Sequence, residues 1–508
     1  MLAPAVTSAI AGLAIFAIYI YRLQHQRNTS ERGNGCGPVT KHRSKEPFSG
    51  VDFHMRMYAD MPSLYQHHQR YGKTFQLQTF IAQPAIMTLA TANIRAVNTA
   101  KEFGVEPMRL PSMEYFCGRG FLTTDGDLWQ HSRKLLKPGF AKHNLVNLDF
   151  LSQQVDDLLA TLPVQGKTVD LQPMFYTLVI HTRSSTGIAA LILFVQFLNT
   201  SVHFLLGINP NEDYKGAPHT SAEFIEAFHD ALFYTMFRAI LGRAWFIVPK
   251  RKYLDACRTA HEYLDYYIDQ ALNHQSSSRI STPHAKTRSL LGNLSDQTSD
   301  LKFIRHQILQ GMMASQETTS ALLGNACLLL SRHPKYWGQI RLEALKAGAA
   351  VYDFDTLLSL VSVHNVLLET LRLYPVFPLL SRDTLKDTQL PTGGGKDQNL
   401  PMFVPKGTVV VLSYYALHRD TTVFGEDVEE FKPERWETIK PGTWDFMGFG
   451  GGNRACMGQQ KVLVEAAYVL VRLAKQYSKL ESRDSSAWEG EMKLTCKSKN
   501  GCKVALFS

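Results

Sequence analysis

The stretch Phe449-Gly450-Gly451-Gly452-Asn453-Arg454-Ala455-Cys456-Met457-Gly458 constrains this chain more than any other. Three consecutive glycines and Asn453 permit a tight loop with backbone angles that most side chains disfavour. The residues that follow, Gln459 to Leu470, are good helix formers with helical periodicity. Cys456 is therefore expected in a glycine-rich loop just ahead of a helix. Free loop N–H groups and the helix N-terminus should favour its thiolate over its thiol. Arg454, two residues earlier, adds positive charge. A sulfur so placed suits a metal. One protein ligand is too few for zinc, but it suffices for haem iron, whose porphyrin supplies four donors. The competing reading is a buried structural cysteine in a flexible loop.

The 508 residues are enough for several domains, and 45% hydrophobic with 19% charged residues suits a globular protein rather than a disordered one. A formal net charge of +9 favours an acidic protein partner or an anionic membrane surface. No zinc finger, homeodomain or RNP pattern is present, so a nucleic-acid partner is not indicated. The seven cysteines are scattered and odd in number, which argues for free thiols and a reducing compartment. Asn500-Gly501 between Cys496 and Cys502 predicts a hairpin turn, with strands near Glu491–Lys497 and Lys503–Phe507.

Residues 1–21 carry no charged side chain and are long enough, as a helix, to cross a bilayer of about 30 Å. Arg22, Arg27, Arg32, Lys41, Arg43 and Lys45 follow, which places the rest of the chain in the cytosol. A cleaved signal peptide would need a basic leading region that is missing here. Residues 22–49 are basic and rich in Gly and Pro, as a linker is, and 50–508 form the globular body. Helix is expected from Tyr58 to Tyr71 and a small strand hairpin from Lys73 to Leu89. The piece from His181 to Asn199 contains a short apolar run that suits neither a loop nor an amphipathic helix.

Three further patterns stand on helical spacing. Trp129 and Arg133 share one helix face, where an indole N–H and a guanidinium could both donate to one carboxylate, or form a surface cation–π pair. A long helix from Phe303 to Arg332 contains Ala314-Ser315-Gln316-Glu317-Thr318-Thr319. A hydroxyl beside a carboxylate is unusual in mid-helix, and a Thr hydroxyl bent back to a carbonyl can distort the helix and open a groove. Glu369 and Arg372 lie at i and i+3 on a helix ending before Pro375, and Phe431-Lys432-Pro433-Glu434-Arg435-Trp436 follows downstream.

Taken together and in this order, these motifs resemble those of the cytochrome P450 monooxygenases over nearly all of residues 50–507. The resemblance implies a mainly α fold with a smaller β region, behind an N-terminal transmembrane helix. It implies haem b with Cys456 as its thiolate ligand and Phe449 packed near the sulfur. Trp129, Arg133, Arg382 and Arg454 would meet the haem propionates. Glu317 and Thr318 would deliver protons for O–O cleavage; the family's usual glycine is Ser315 here. Glu369, Arg372 and Arg435 would form a buried charged triad that fixes the loop before the cysteine. By the same resemblance the segment His181–Asn199 is expected to lack a counterpart in the family, as either a true insertion or translated intron sequence.

The family's reaction puts one oxygen atom from O2 into a lipophilic substrate. Its electrons come from NADPH through a separate reductase, with cytochrome b5 as a further donor. Neither a flavin nor a nicotinamide fingerprint occurs in this chain. The Leu390–Asp397 glycine turn, Ala416–Asp420 and Gly126–Trp129 resemble a fungal subgroup that hydroxylates alkanes and fatty acids and includes secondary-metabolism members. The expected location is the endoplasmic reticulum membrane, single-pass, with the catalytic domain cytosolic. A haem-thiolate isomerase or dehydratase, or an inactive haem-binding product, would use the same cysteine.

Overall fold

The computed structural model describes residues 35–43, 60–78, 85–163, 166–175, 196–208, 216–241, 248–277, 289–492 and 494–508, with isolated positions 45, 52, 53, 56 and 246. The anchor at 1–21, most of the 22–49 linker and residues 181–195 of the suspected insertion lie outside them; the remainder of that insertion opens a helix, Gln196–Leu206. Among the described residues no helix is long and apolar enough to cross a membrane. The described chain forms two units. One gathers the N-terminal described residues with 62–104 and 379–416, and the other holds 58–61, 105–378 and 417–508.

The first unit carries most of the sheet. The expected hairpin is Thr74–Gln78 against Ala85–Thr88, antiparallel, with Phe75 opposite Met87. Val409–Ser413 runs parallel to the second of these strands, with Val411 opposite Met87, and Leu379–Thr384 pairs antiparallel on its far side. The Val409-Val410-Val411 run reads as a strand buried on both faces, and it takes a central place in the six-stranded order. Lys41–Arg43 and Phe103–Gly104 form the two edges. The glycine turn expected near Leu390–Asp397 joins Thr388–Gly394 to Leu400–Val404 in a separate two-stranded sheet. Asn93 fastens helix Thr91–Thr99 to it: its Nδ2 donates to Thr392 O (3.0 Å), and its Oδ1 accepts from Thr392 N (3.0 Å).

The second unit is mainly helical and is arranged along one helix, Leu301–Arg332. Asp300 caps its start by accepting from Phe303 N at 2.9 Å. Pro334 stops it, leaving His333 outside helical angles at φ −129°, ψ 71°. Ile304, Ile308, Leu309, Met312 and Met313 belong to one apolar core, shared with helices Ser221–Leu241 and Lys250–Ser277. Ala321–Leu323 and Ala326–Leu330 belong to a second, shared with helices Pro334–Lys346, Val361–Leu373 and Gln459–Gln476. Helix Gln459–Gln476 follows the cysteine loop as expected, and buries most of its length in that second core.

The C-terminal strands depart from the expected hairpin. Cys496–Ser498 pairs back on Gly490–Met492, whereas Lys503–Phe507 pairs with Lys479–Ser482 and Thr168–Asp170. Asn500-Gly501 thus hands the chain from one sheet to another. Asp170 is the reason: its Oδ1 accepts from Cys502 N at 2.7 Å, and a Cβ on Gly501 would lie 2.1 Å from its Oδ2. Gly501 also has φ +79°, so a side chain there would be strained twice over. None of the seven cysteines is in a disulfide.

Candidate active site

The loop holding Cys456 is built from its own backbone. Cys456 N donates to Phe449 O (2.9 Å), Gly450 N to Met447 O (3.0 Å) and Ala455 N to Gly452 O (3.2 Å). Gly450 and Gly452 take φ of +69° and +66°, angles that an L side chain rarely adopts. A Cβ on Gly451 would come within 2.8 Å of the Trp444 ring, so that glycine is required by packing. Phe449 packs against the second core, beneath the loop.

Cys456 is exposed to solvent as a residue, yet enough protein lies around its sulfur for burial to act on the thiol. The expectation that the loop alone yields a thiolate needs correction. Burial is the largest effect and pushes the thiol up, and the Gly458 N–H and the Arg133 charge offset it only in part. Deprotonation therefore falls to whatever binds the sulfur, as coupled metal binding and proton release provide. Among the described residues no group of three or more His, Cys, Asp or Glu side chains could hold a metal ion. A single sulfur on a glycine loop with cationic neighbours fits a prosthetic group that brings its own four donors and anionic edge.

Those neighbours come from the helix Gly126–Leu136 and from the loop itself. Arg133 Nη2 donates to Ala455 O at 2.8 Å, next to the cysteine. Arg454 Nη2 donates to Thr124 O (2.7 Å) and to Asp125 Oδ1 (2.6 Å). The Trp129 ring is close to both guanidiniums, 5.9 Å from Arg133 and 4.6 Å from Arg454. The i, i+4 spacing does bring Trp129 and Arg133 together, and the tertiary fold adds Arg454 to the same ring.

In the middle of Leu301–Arg332 the burial breaks. Ala314 is exposed and Ser315, Glu317 and Thr318 are half-buried, between fully buried runs on either side. Thr318 Oγ1 donates back to Ala314 O at 3.0 Å, as its position suggested, but the helix stays continuous to Arg332 and no break opens. Ser315 Oγ turns to its own helix and donates to Met312 O at 3.4 Å. Glu317 Oε2 accepts from Thr495 Oγ1 at 3.2 Å, a partner 178 residues away.

Glu369, Arg372 and Arg435 meet as expected. Arg372 binds Glu369 through Nε and Nη2 (both 2.8 Å), and Arg435 Nε donates to Glu369 Oε1 at 3.0 Å. Trp436 Nε1 and Lys432 N complete the shell, each at 3.0 Å. Arg372 Nη1 reaches on to Val428 O (2.7 Å) and His418 O (3.1 Å), and Arg435 Nη1 to Asp427 Oδ1 (2.8 Å). Every guanidinium here ties down a loop that leads toward the cysteine.

With this geometry in place, the comparisons are direct. The family described as Cytochrome P450 matches residues 47–501. The chain belongs to the cytochrome P450 family. It is similar to the cytochrome P450 monooxygenase himC of Aspergillus japonicus, 33% identical over 98% of this chain and 89% of that one. It is 31% identical to the cytochrome P450 monooxygenase FPY7 of Fusarium mangiferae, over 97% and 95% of the two chains. It is 33% identical to cytochrome P450 52E1 of Candida apicola, over 80% and 77%. This protein is a P450 monooxygenase, and the family implies haem as its prosthetic group, a redox partner and a lipophilic substrate.

In this P450, Arg382 lies in the other unit, buried on strand Leu379–Thr384 opposite Val410, with Nη1 donating to Ser381 O at 2.9 Å. Four residues with a part in the site escaped the sequence. Asp125 directly precedes the helix that carries Trp129, where it reads as an ordinary cap. Trp436 adjoins Arg435 and passes as core. Thr495 carries no local signal at all. His418 reads only as part of a subgroup pattern, yet its Nε2 accepts from Met447 N at 2.9 Å and so holds the loop two residues before Phe449.

His418 also gives the fold an acid limit. Burial, with the Arg372 and Arg419 charges, lowers its pKa from the ordinary 6.5 to about 3. The unfolded chain protonates it near 6.5 and the folded chain resists, so stability is complete above 6.5 and falls as pH drops toward 3. The loss approaches about 1.4 kcal/mol per pH unit for one such group. Burial likewise lowers His68, His229 and His306 to about 4. Urea unfolding at pH 7, 6 and 5 is expected to show a steep decline, and His418→Gln, which keeps an acceptor for Met447 N, should lessen the slope. An unchanged slope would mean that His418 is not held neutral.

Proposed function

We propose that this P450 monooxygenase hydroxylates a lipophilic substrate, fatty-acid-like, alkane-like or a fungal secondary metabolite. Its electrons come from NADPH through a separate reductase, with cytochrome b5 as a further donor. The carrying observation is Cys456, a solvent-exposed cysteine on a glycine loop beside two guanidiniums. Haem b held there supplies O2 activation and transfer of one oxygen atom. Cys456 is its ligand, Phe449 supports the loop, and Trp129, Arg133 and Arg454 receive its propionates. Glu317 and Thr318 handle protons: the Glu317 carboxylate is oriented by the Thr495 hydroxyl, where burial breaks in the middle of the long helix.

Residues 50–508 form the haem domain, tethered by a helix at 1–21 to the endoplasmic reticulum membrane with its body in the cytosol. Phe233, Phe237 and Phe246 are 55%, 49% and 70% exposed in the stretch leading to Lys250, Arg251 and Lys252. Aromatic rings beside a basic cluster suit an anionic bilayer surface.

The test uses membranes containing this chain and a reductase, supplied with NADPH, isotope-labelled O2 and a panel of fatty acids and alkanes. One labelled oxygen per product molecule is expected, strictly dependent on NADPH. Product formed equally well without NADPH, or without label, would overturn the reading.

A further inference from the structure

We propose that Asp125 is a positioning residue of the haem site: its carboxylate fixes the Arg454 guanidinium beside Cys456 and ties it to the start of helix Glu106–Cys117. The proposal rests on the haem-thiolate reading given above. Asp125 precedes helix Gly126–Leu136 in the N-cap position, yet its side chain makes no capping bond to that helix. It turns away and serves two other elements. Oδ2 accepts from Val105 N and Glu106 N, both at 2.8 Å, and Oδ1 accepts from Val105 N at 3.1 Å. Oδ1 also takes Arg454 Nη2 at 2.6 Å. The second helix has no side-chain cap of its own at Val105, so the carboxylate supplies one from a distance in sequence.

The physical need is set by the neighbours. Arg454 and Arg133 both lie against Trp129, two like charges within reach of one ring. Asp125 and Arg454 are each 17% exposed, so solvent does little to screen them. An anion at Oδ1 offsets the Arg454 charge and holds its planar fork in one orientation before any ligand arrives. Without it, neutral contacts such as those with the Thr124 carbonyl and the Trp129 ring have to hold the guanidinium, and the ordering left to be done when an anionic porphyrin edge binds costs affinity. Removing Asp125 therefore weakens haem retention even though it removes a negative charge from the site. Simple electrostatics would predict the opposite sign.

The experiment measures haem transfer from the full-length holoenzyme to excess apomyoglobin, for wild type, Asp125→Asn, Arg454→Gln and the double variant. Asparagine keeps an acceptor for the two backbone N–H groups and loses the charge. Each single variant is expected to release haem about tenfold faster, and the double variant no faster than the worse single one. Release from Asp125→Asn at or below the wild-type rate would overturn the proposal. So would effects that multiply in the double variant, since a role confined to Val105 and Glu106 is independent of Arg454. If Asp125→Asn yields no folded protein, Asp125→Glu and Arg454→Lys take the two places under the same criteria. A wild-type protein without a thiolate-type spectrum would instead sink the haem-thiolate reading, whatever the variants do.

Discussion

Glu369→Ala is expected to accumulate as haem-free, aggregated protein. The carboxylate accepts from Arg372 twice, from Arg435, and from the Trp436 indole and Lys432 N, and its side chain is 0% exposed. Alanine removes all five acceptor contacts and leaves two guanidiniums facing each other out of water. Stranding one buried charge costs about 3–5 kcal/mol. A domain has a total of about 5–15 kcal/mol to lose. The damage is also directional, because Arg372 and Arg435 hold the carbonyls of Val428 and Asp427 in the segment that leads to the cysteine loop. Glu369→Gln should fall between, since it keeps one acceptor oxygen but sets an NH2 group against a cation. Soluble yield, haem-to-protein ratio and melting temperature read the outcome. Normal haem content in Glu369→Ala would show that the triad does not support the loop.

Cys456→Ser is expected to abolish the thiolate-type Soret band of the reduced carbon monoxide complex, with activity at background. The loop should survive, because its bonds run through backbone atoms such as Cys456 N to Phe449 O. What is lost is the donor: a serine hydroxyl stays protonated at neutral pH and is a poor ligand for a soft site. Losing only the groups that hydrogen-bond to a metal's ligands costs about 10–100-fold in metal affinity, and loss of the ligand itself should exceed that. The spectrum, the haem content and the melting temperature separate ligand loss from unfolding. A thiolate-type band that persists in Cys456→Ser would assign the ligand to another cysteine, and six others remain outside any disulfide. Burial makes that an unfavourable assignment for most of them. Cys327 and Cys496 are pushed up to about 12.

The outcome at Glu317 shows how far a local pattern reaches. Its place in mid-helix, and the back-bond of Thr318 to Ala314, follow from positions in one helix and were legible in the order of residues. Its hydrogen bond to Thr495 depends on where a terminal strand pair lands, which no periodicity encodes. The same division explains the misread C-terminal turn. Asn500-Gly501 marks a turn correctly, but which strands it joins is decided by Asp170, more than three hundred residues earlier.

The order of residues by itself determined the helix that follows Cys456, the glycine loop, the Trp129–Arg133 face and the Glu369–Arg372 pair, because each is a contact within a few residues on one element. The family follows from those motifs and their succession. Tertiary structure alone decided that Asp125 caps a distant helix and grips Arg454, that His418 is buried neutral beneath the loop, and that the Cys456 thiol is raised rather than lowered. These depend on desolvation and on partners supplied by remote elements. Both are sums over the whole packed molecule that no short window of residues contains.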